Sequence, residues 1–353
     1  MIDRFEIVGH ADPRPEAEQI IFCDGTGGGV FRAETDLELS HWRPNRTPIA
    51  YRAGTSTEIG FRFLDHPRPG SWTAAVNNHV DVDGILSVYV LVQSDHAWAH
   101  RQTIMEAAEL GDFWGWGAPP AQRVFQGVTL LMERGGTGQS IYAEAFRRIP
   151  ALIDGTDPEV RQIEDSLAPL RRGVELVEQG KIIRSQMGRR LAHYIVPLAV
   201  AGDDDERASY VPEFNEAISP KAILWPQVRA RWDPERVCLV SVERKTGWFH
   251  DLYFPGYLWA DTEGKWLVPG MTYHDGMSSY ELDNPRLVAA VEQLQRQETA
   301  PGRWGLGGTT LPFADELQGR YPLVGRFLDE QGQPAASQSS PDRVGRAFEG
   351  VFG

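Results

Sequence analysis

The chain has 353 residues, 41% hydrophobic and 24% charged, which is the balance of a soluble globular protein long enough for two domains or one large one. Its formal net charge of −14 argues against a broad surface for nucleic acid or acidic membrane, because such surfaces need clustered Lys and Arg. A small phosphorylated substrate, or a metal that brings its own positive charge, remains compatible with it.

Cys23 and Cys238 lie outside any CxxC pair, so zinc-ribbon and dithiol redox chemistry are excluded. Both are expected as reduced core residues of a cytoplasmic protein. The opening MIDRFEIVGH has neither a basic nor an apolar signal region. The apolar run around Tyr194–Ala201 is too short to span a bilayer and contains Pro197.

In chain order, QIIFCDGTGGG reads as a strand ending at Asp24 in a glycine-rich turn, LELSHW as a strand ending near His41, and PIAYRAG as a third strand. In TSTEIGFRFL, Thr55 and Glu58 have capping-box spacing for a helix. WTAAVNNHVDVDG follows as a strand, then a helix from about Ile85 to Gln93. This rhythm predicts an α/β fold with a mostly parallel sheet and flanking helices. WGWGAPPAQ is a loop, and apolar residues at three- and four-residue spacing predict helix over 121–195. GDDDERAS (202–209) reads as a solvated hinge. AILWPQV, VCLVSVER and GWFHDLYFPGYLWAD are rich in β-branched and aromatic residues and read as strands. A helix is expected at about 285–297, and GQPAASQSSPD (332–342) reads as disordered. The resulting organisation is an α/β domain over 1–201, a smaller α+β domain over 207–331, and a flexible tail over 332–353.

The informative stretch is His79-Val80-Asp81-Val82-Asp83-Gly84. Extended backbone projects alternate side chains to one side, so an imidazole and two carboxylates would converge beyond the end of a strand, where α/β sheets place their ligand sites. Two carboxylates there repel each other unless protonated, solvated or metal-bound, and the N,O set suits Mn²⁺, Fe²⁺ or Zn²⁺. An EF-hand is rejected: counted from His79, the first position is His and the twelfth is Val90, so the bidentate Glu is missing. The competing role is helix capping ahead of Ile85, for which one Asp would suffice.

His79-x-Asp81-x-Asp83-Gly84-x-x-Ser87 resembles the first motif of the DHH phosphoesterase superfamily, which includes RecJ-type exonucleases, oligoribonuclease-like phosphodiesterases and inorganic pyrophosphatases. The resemblance implies a DHH-like fold, a two-ion Mn²⁺ centre or another divalent metal, and catalytic and metal-ligand roles for His79, Asp81 and Asp83. The Asp-His-His signature of that superfamily is absent. SDHAWAH (94–100) offers Asp95-His96 without an adjacent second His, so that role is not carried over.

Further ligands are sought at Asp24, His41 and Asp112, each of which could instead be a structural turn or cap residue. Arg43 and Arg46, beside His41, are candidates to bind phosphate oxygens. Thr55-Ser56-Thr57 could offer backbone N–H groups to an anion, although ordinary capping competes. RWGLGGTT (303–310) and the loop with His274 and Asp275 are weaker candidates, and Trp42, Trp114 or Trp116 could wall the site. No phosphate-loop, HExxH or G-x-S-x-G motif is present. The expected activity is metal-dependent hydrolysis of a small phosphoester or phosphoanhydride. The alternatives are a non-catalytic binding protein on the same scaffold, and a metal hydrolase acting on an amide or sugar.

Overall fold

The computed structural model describes residues 2, 4–9, 11–43, 45–262, 271–273, 280–282, 285–306 and 322–353. His274, Asp275 and the 307–310 part of the second glycine-rich loop lie outside the described residues.

Strands β1 (Arg4–Ile7), β2 (Ile20–Cys23), β3 (Leu37–Leu39) and β4 (Ala74–Asn77) form a sheet in the order β1-β4-β2-β3, and every pairing is parallel. Their carboxyl ends therefore share one edge. β2 and β4 are buried at every position, as parallel strands covered on both faces should be. Helix α1 (Ser56–Asp65) links β3 to β4. Its cap is as expected, with Thr55 accepting from the Glu58 N–H at 3.1 Å.

Helix α2 (Val82–Val92) follows β4 and is buried from Val82 to Leu91, so its all-round apolar sequence marks an interior helix. A Cβ at Gly60 of α1 would meet Val90 Cγ1 at 3.3 Å, so this glycine lets the two helices approach closely. Helices α3 (Ser94–Ala99), α4 (Arg101–Asp112), α5 (Pro119–Glu133), α6 (Gly138–Asp154) and α7 (Val160–Ser166) follow. This first compact unit comprises Met1–Leu167, Asn215–Ala217 and Ala260–Lys265.

The second unit comprises Ala168–Phe214, Ile218–Trp259 and Trp266–Gly353. It contains α8 (Ala168–Glu178), β5 (Ile183–Met187), β6 (Leu191–Val196), α9 (Leu198–Ala201), α10 (Asp205–Ser209), α11 (Pro226–Ala230), β7 (Val237–Arg244) and β8 (Gly247–Tyr253). The pair β9 (Met271–Tyr273) and β10 (Tyr280–Leu282), α12 (Pro285–Gln297), β11 (Arg303–Leu306), β12 (Leu323–Leu328) and α13 (Pro341–Phe352) complete it. Its six-stranded sheet has the order β11-β12-β8-β7-β6-β5, with β6 and β7 parallel and the other pairings antiparallel. A buried relay crosses this sheet: His193 Nε2–H donates to Ser241 Oγ at 2.8 Å, and Ser241 donates to His250 Nδ1 at 2.8 Å. His250 Nε2–H then donates to the Ser339 carbonyl at 3.0 Å. Because that carbonyl can only accept, it fixes the direction of the chain.

Several local readings are corrected. PIAYRAG is not a strand: Ile49–Tyr51 is a 3₁₀ turn, with the Tyr51 N–H donating to the Pro48 carbonyl at 2.9 Å and Ile49 exposed. The helical reading of 121–195 fails after Glu178. Gly180 and Gly188, at φ +67° and +72°, supply left-handed turns, and 183–196 pairs as the β5–β6 hairpin. By compactness the first unit runs to Leu167 and the second begins at Ala168. AILWPQV is not a strand either, since Pro226 opens α11. The tail read as flexible is built into the second unit. Trp248 and Ser337 exchange backbone hydrogen bonds at 2.8 and 2.9 Å, Ser340 caps α13, and Val344, Phe348 and Phe352 are buried. Cys23 and Cys238 are buried and free. Among the described residues, no helix is long and apolar enough to cross a membrane.

Candidate metal centre

The three parallel strands β2, β3 and β4 deliver Asp24, His41 and the 79–83 segment to the same edge of the first sheet. Asp24 follows β2 at φ +43°, a left-handed conformation that costs a non-glycine residue on the order of 1 kcal/mol. Strain of this kind persists where surrounding contacts impose it. Here they are specific: Oδ1 accepts from Trp42 Nε1–H at 3.0 Å and from Ser56 Oγ–H at 2.8 Å.

Six side chains converge. His41 Nε2 stands 3.3 Å from Asp24 Oδ1, 3.3 Å from Asp112 Oδ2 and 3.7 Å from Asp83 Oδ2. His79 Nε2 stands 3.0 Å from Asp24 Oδ2 and 3.1 Å from Asp81 Oδ2. Two ligand sets result, Asp24/His41/Asp83/Asp112 and Asp24/His79/Asp81, and within each the ligand atoms lie within 4.8 Å of one another. Asp24 belongs to both sets, offering Oδ1 to one imidazole and Oδ2 to the other. The first set is fully buried, whereas the His79 side chain is 28% exposed and opens the second toward solvent.

Both imidazoles are oriented alike. His41 Nδ1–H donates to the Gly54 carbonyl at 2.6 Å. His79 Nδ1 meets Asn78 Oδ1 at 2.9 Å, and the Asn78 amide is set by its Nδ2–H donating to the Thr26 carbonyl at 3.0 Å. Since both partners are acceptors, each Nδ1 carries the proton and each Nε2 is turned to the carboxylates. Metal-binding histidines are held in this way by their outer partners.

The electrostatics show the cost of the arrangement without a cation. Burial opposes ionisation of Asp24, but His79 and His41 overcome it and hold its pKa below the usual carboxylate range. Burial and then the Asp24 charge push Asp83 up to about 7. Burial and the Asp83 charge raise Asp112 well above its ordinary value, and burial raises Asp81 despite His79. For His41, burial is outweighed by Asp112 and Asp24; for His79, it is outweighed by Asp81 and Asp24. Both imidazole pKa values are raised well above the usual range. Protons can thus neutralise the cluster, and so could two divalent ions, whose four positive charges match four carboxylates.

Capping and site roles coincide in two residues. Asp81 Oδ1 accepts from the Gly84 N–H at 2.7 Å as the N-cap of α2, leaving Oδ2 on His79. Asp83 accepts from the Ser56 and Thr57 N–H groups at 2.7 and 2.9 Å. The amides expected to face a bound anion therefore face the chain's own carboxylate. A Cβ at Gly84 would come within 2.5 Å of Asn77 Nδ2, 2.8 Å of Tyr142 Oη and 2.9 Å of Asp81 Oδ1, so a side chain here would have to displace three side-chain ends that support the site.

The two arginines of the expected phosphate clamp lie beside His41 in sequence. Arg46 is exposed, its guanidinium lies 5.2 Å from the Phe31 ring centroid, and its backbone N–H donates to Glu38. Arg43 is half-buried. Trp42 stands at the site with its ring edge-on to His79 at 5.5 Å, whereas Trp114 is buried and Trp116 half-buried. Tyr142, Asn77 and Asn78 were not anticipated from the sequence. Two asparagines ahead of a histidine were the only local signal for the latter pair.

Taken together, the first unit is an α/β fold with a parallel sheet and a buried Asp/His cluster suited to a divalent metal. Residues 8–134 match the family model of a family of unknown function, DUF6687, and this segment includes all six cluster residues. No curated protein matches the chain.

Proposed function

We propose that the chain is a metal-dependent hydrolase of small phosphoesters or phosphoanhydrides, on a scaffold distantly related to the DHH phosphoesterases. The observation that carries the proposal is the pair of imidazoles, each fixed through Nδ1 and each facing a different oxygen of Asp24. A carboxylate approached from both sides is suited to bridge two cations. Asp24, His41, Asp83 and Asp112 would hold an inner ion, and Asp24, His79 and Asp81 an outer one. Bound Mn²⁺ or a similar ion would supply Lewis acidity and an activated water. Trp42 Nε1–H and Ser56 Oγ–H keep Asp24 Oδ1 in place, and the Ser56 and Thr57 amides do the same for Asp83. Burial of the inner set excludes bulk water, and the half-exposed Trp42 and His79 mark the side from which a substrate would enter. The chain's net charge of −14 favours a small substrate over a long polynucleotide.

A second reading is a non-catalytic binding protein, favoured by the capping duties of Asp81 and Asp83. Protein purified without chelator is to be analysed for metal, then screened with Mn²⁺ against phosphodiesters, nucleoside phosphates and pyrophosphate. Two ions per chain with turnover of one of these classes is the expected outcome. Metal without turnover of any of them favours the binding protein, and absence of metal removes both ions from the account.

A further inference from the structure

Asn78 belongs to neither ligand set, yet its amide joins the two turns that carry them. Nδ2–H donates to the carbonyl of Thr26, two residues after Asp24, and Oδ1 accepts from His79 Nδ1–H. Gly25 lies against the same amide, where a Cβ would meet Asn78 Oδ1 at 2.6 Å. The backbone beneath is held separately. Asn77 Oδ1 accepts from the N–H groups of Asn78 and His79 at 2.6 and 3.1 Å, and Tyr142 Oη–H donates to the His79 carbonyl at 3.1 Å. With the main chain fixed, the freedom left to His79 is rotation of its ring, including the flip that exchanges Nδ1 and Nε2.

We infer that Asn78 is a positioning residue: it holds His79 with Nδ1–H on its own amide oxygen and Nε2 toward Asp24 and Asp81, and it ties the Asp24 turn to the His79 turn. The metal-centre reading gives this arrangement its purpose, while the geometry stands without it. An imidazole without such a partner can present either nitrogen. Loss of an outer partner of this kind typically weakens metal binding by about 10- to 100-fold.

The test is NMR of histidine-¹⁵N-labelled protein, joined to Mn²⁺ titration by EPR under chelator competition. A hydrogen-bonded Nδ1–H exchanges slowly enough with water to be seen, whether the ring is neutral or cationic. The His79 Hδ1 signal is expected in the native chain and in Asn78→Asp, which keeps an acceptor, and is expected to vanish in Asn78→Ala. Asn78→Leu, of similar volume and without polar atoms, gives the same readout should Asn78→Ala fail to fold. One Mn²⁺ should weaken by about 10- to 100-fold in Asn78→Ala, with the other retained. A signal missing from the native chain, or surviving in Asn78→Ala and Asn78→Leu, overturns the positioning role. If the signals behave as expected but the native chain binds no Mn²⁺, the positioning role stands and the metal-centre reading fails.

Discussion

Asp81→Asn separates two jobs performed by the two oxygens of one carboxylate. Oδ1 caps α2 through the Gly84 N–H, and Oδ2 faces His79. Asparagine is as good an N-cap as aspartate, so the metal-free Asp81→Asn protein should keep the cap and lose only the contact of the Oδ2 charge with His79. Asp81→Ala removes the cap as well and should cost about 0.5–2 kcal/mol more. Metal binding responds to the lost charge. The ligand atoms of the His79 set lie within 4.8 Å of one another, so an ion among them would sit close to Oδ2. Two unit charges at about 4 Å interact by about 4 kcal/mol at an effective dielectric of 20, and a divalent ion by about twice that, so the loss corresponds to at least about a thousandfold in affinity. The outer ion should therefore be lost from Asp81→Asn on gel filtration, leaving one Mn²⁺ per chain by elemental analysis and EPR. Urea unfolding of the metal-free protein supplies the stability comparison. A folded Asp81→Asn protein that keeps two ions refutes the ligand role. A metal-free Asp81→Asn protein no more stable than Asp81→Ala refutes the division of labour between the oxygens.

Metal itself should stabilise the first unit: at a free concentration 100 times Kd, each site adds about 2.7 kcal/mol, and calorimetry with and without chelator should show the shift in Tm. Gly84→Ala should cost about 1–3 kcal/mol by overpacking against Asn77, Tyr142 and Asp81, measurable by urea unfolding, and a neutral result would mean that the turn relaxes freely. In the second unit, burial lowers the pKa values of His193 and His250 to about 4, aided at His193 by the charge of His250. The unfolded chain then binds more protons between the two pKa values, so this contribution is complete above pH about 6.5 and is lost as pH falls toward 4, at about 1 kcal/mol per pH unit per imidazole. The raised groups of the Asp24 cluster act in the opposite direction. The measurement is therefore the difference in urea stability between the native chain and His193→Gln from pH 7 to 4.5, and a difference independent of pH would contradict the assignment.

Local sequence was enough to locate the ends of β2 and β3, because an apolar run stopped by Asp-Gly or Ser-His is a signal carried by adjacent residues. The extended reading of 79–83 is wrong: β4 ends at Asn77, Asp81 is the N-cap and Asp83 lies in the first turn of α2, so the three side chains meet through a strand–turn–helix and not by strand alternation. Sequence placed Asp24, His41 and His79–Asp83 at strand ends, and the parallel rhythm implied that those ends would share an edge. The Thr55 cap was legible for the same reason. Sequence left open whether Asp81 caps or faces a site, and the structure assigns one oxygen to each. Other features depended on contacts between distant segments. Asp112, at the end of α4, joins His41 only through packing of helices whose order in space the chain does not state. The amides of Ser56 and Thr57 look from the sequence like an anion site, but Asp83 reaches them first. In 183–196, helical spacing of apolar residues gave way to strands because pairing with β7 and the left-handed glycines outweigh a weak local preference. The tail has the composition of a disordered segment, yet Trp248 pairs with it and α13 buries its apolar face. Periodicity and turn chemistry are local and survive in a one-dimensional reading, whereas hydrogen-bond partners and the neutralisation of buried charge are set by whichever residues the fold brings within about 3 Å.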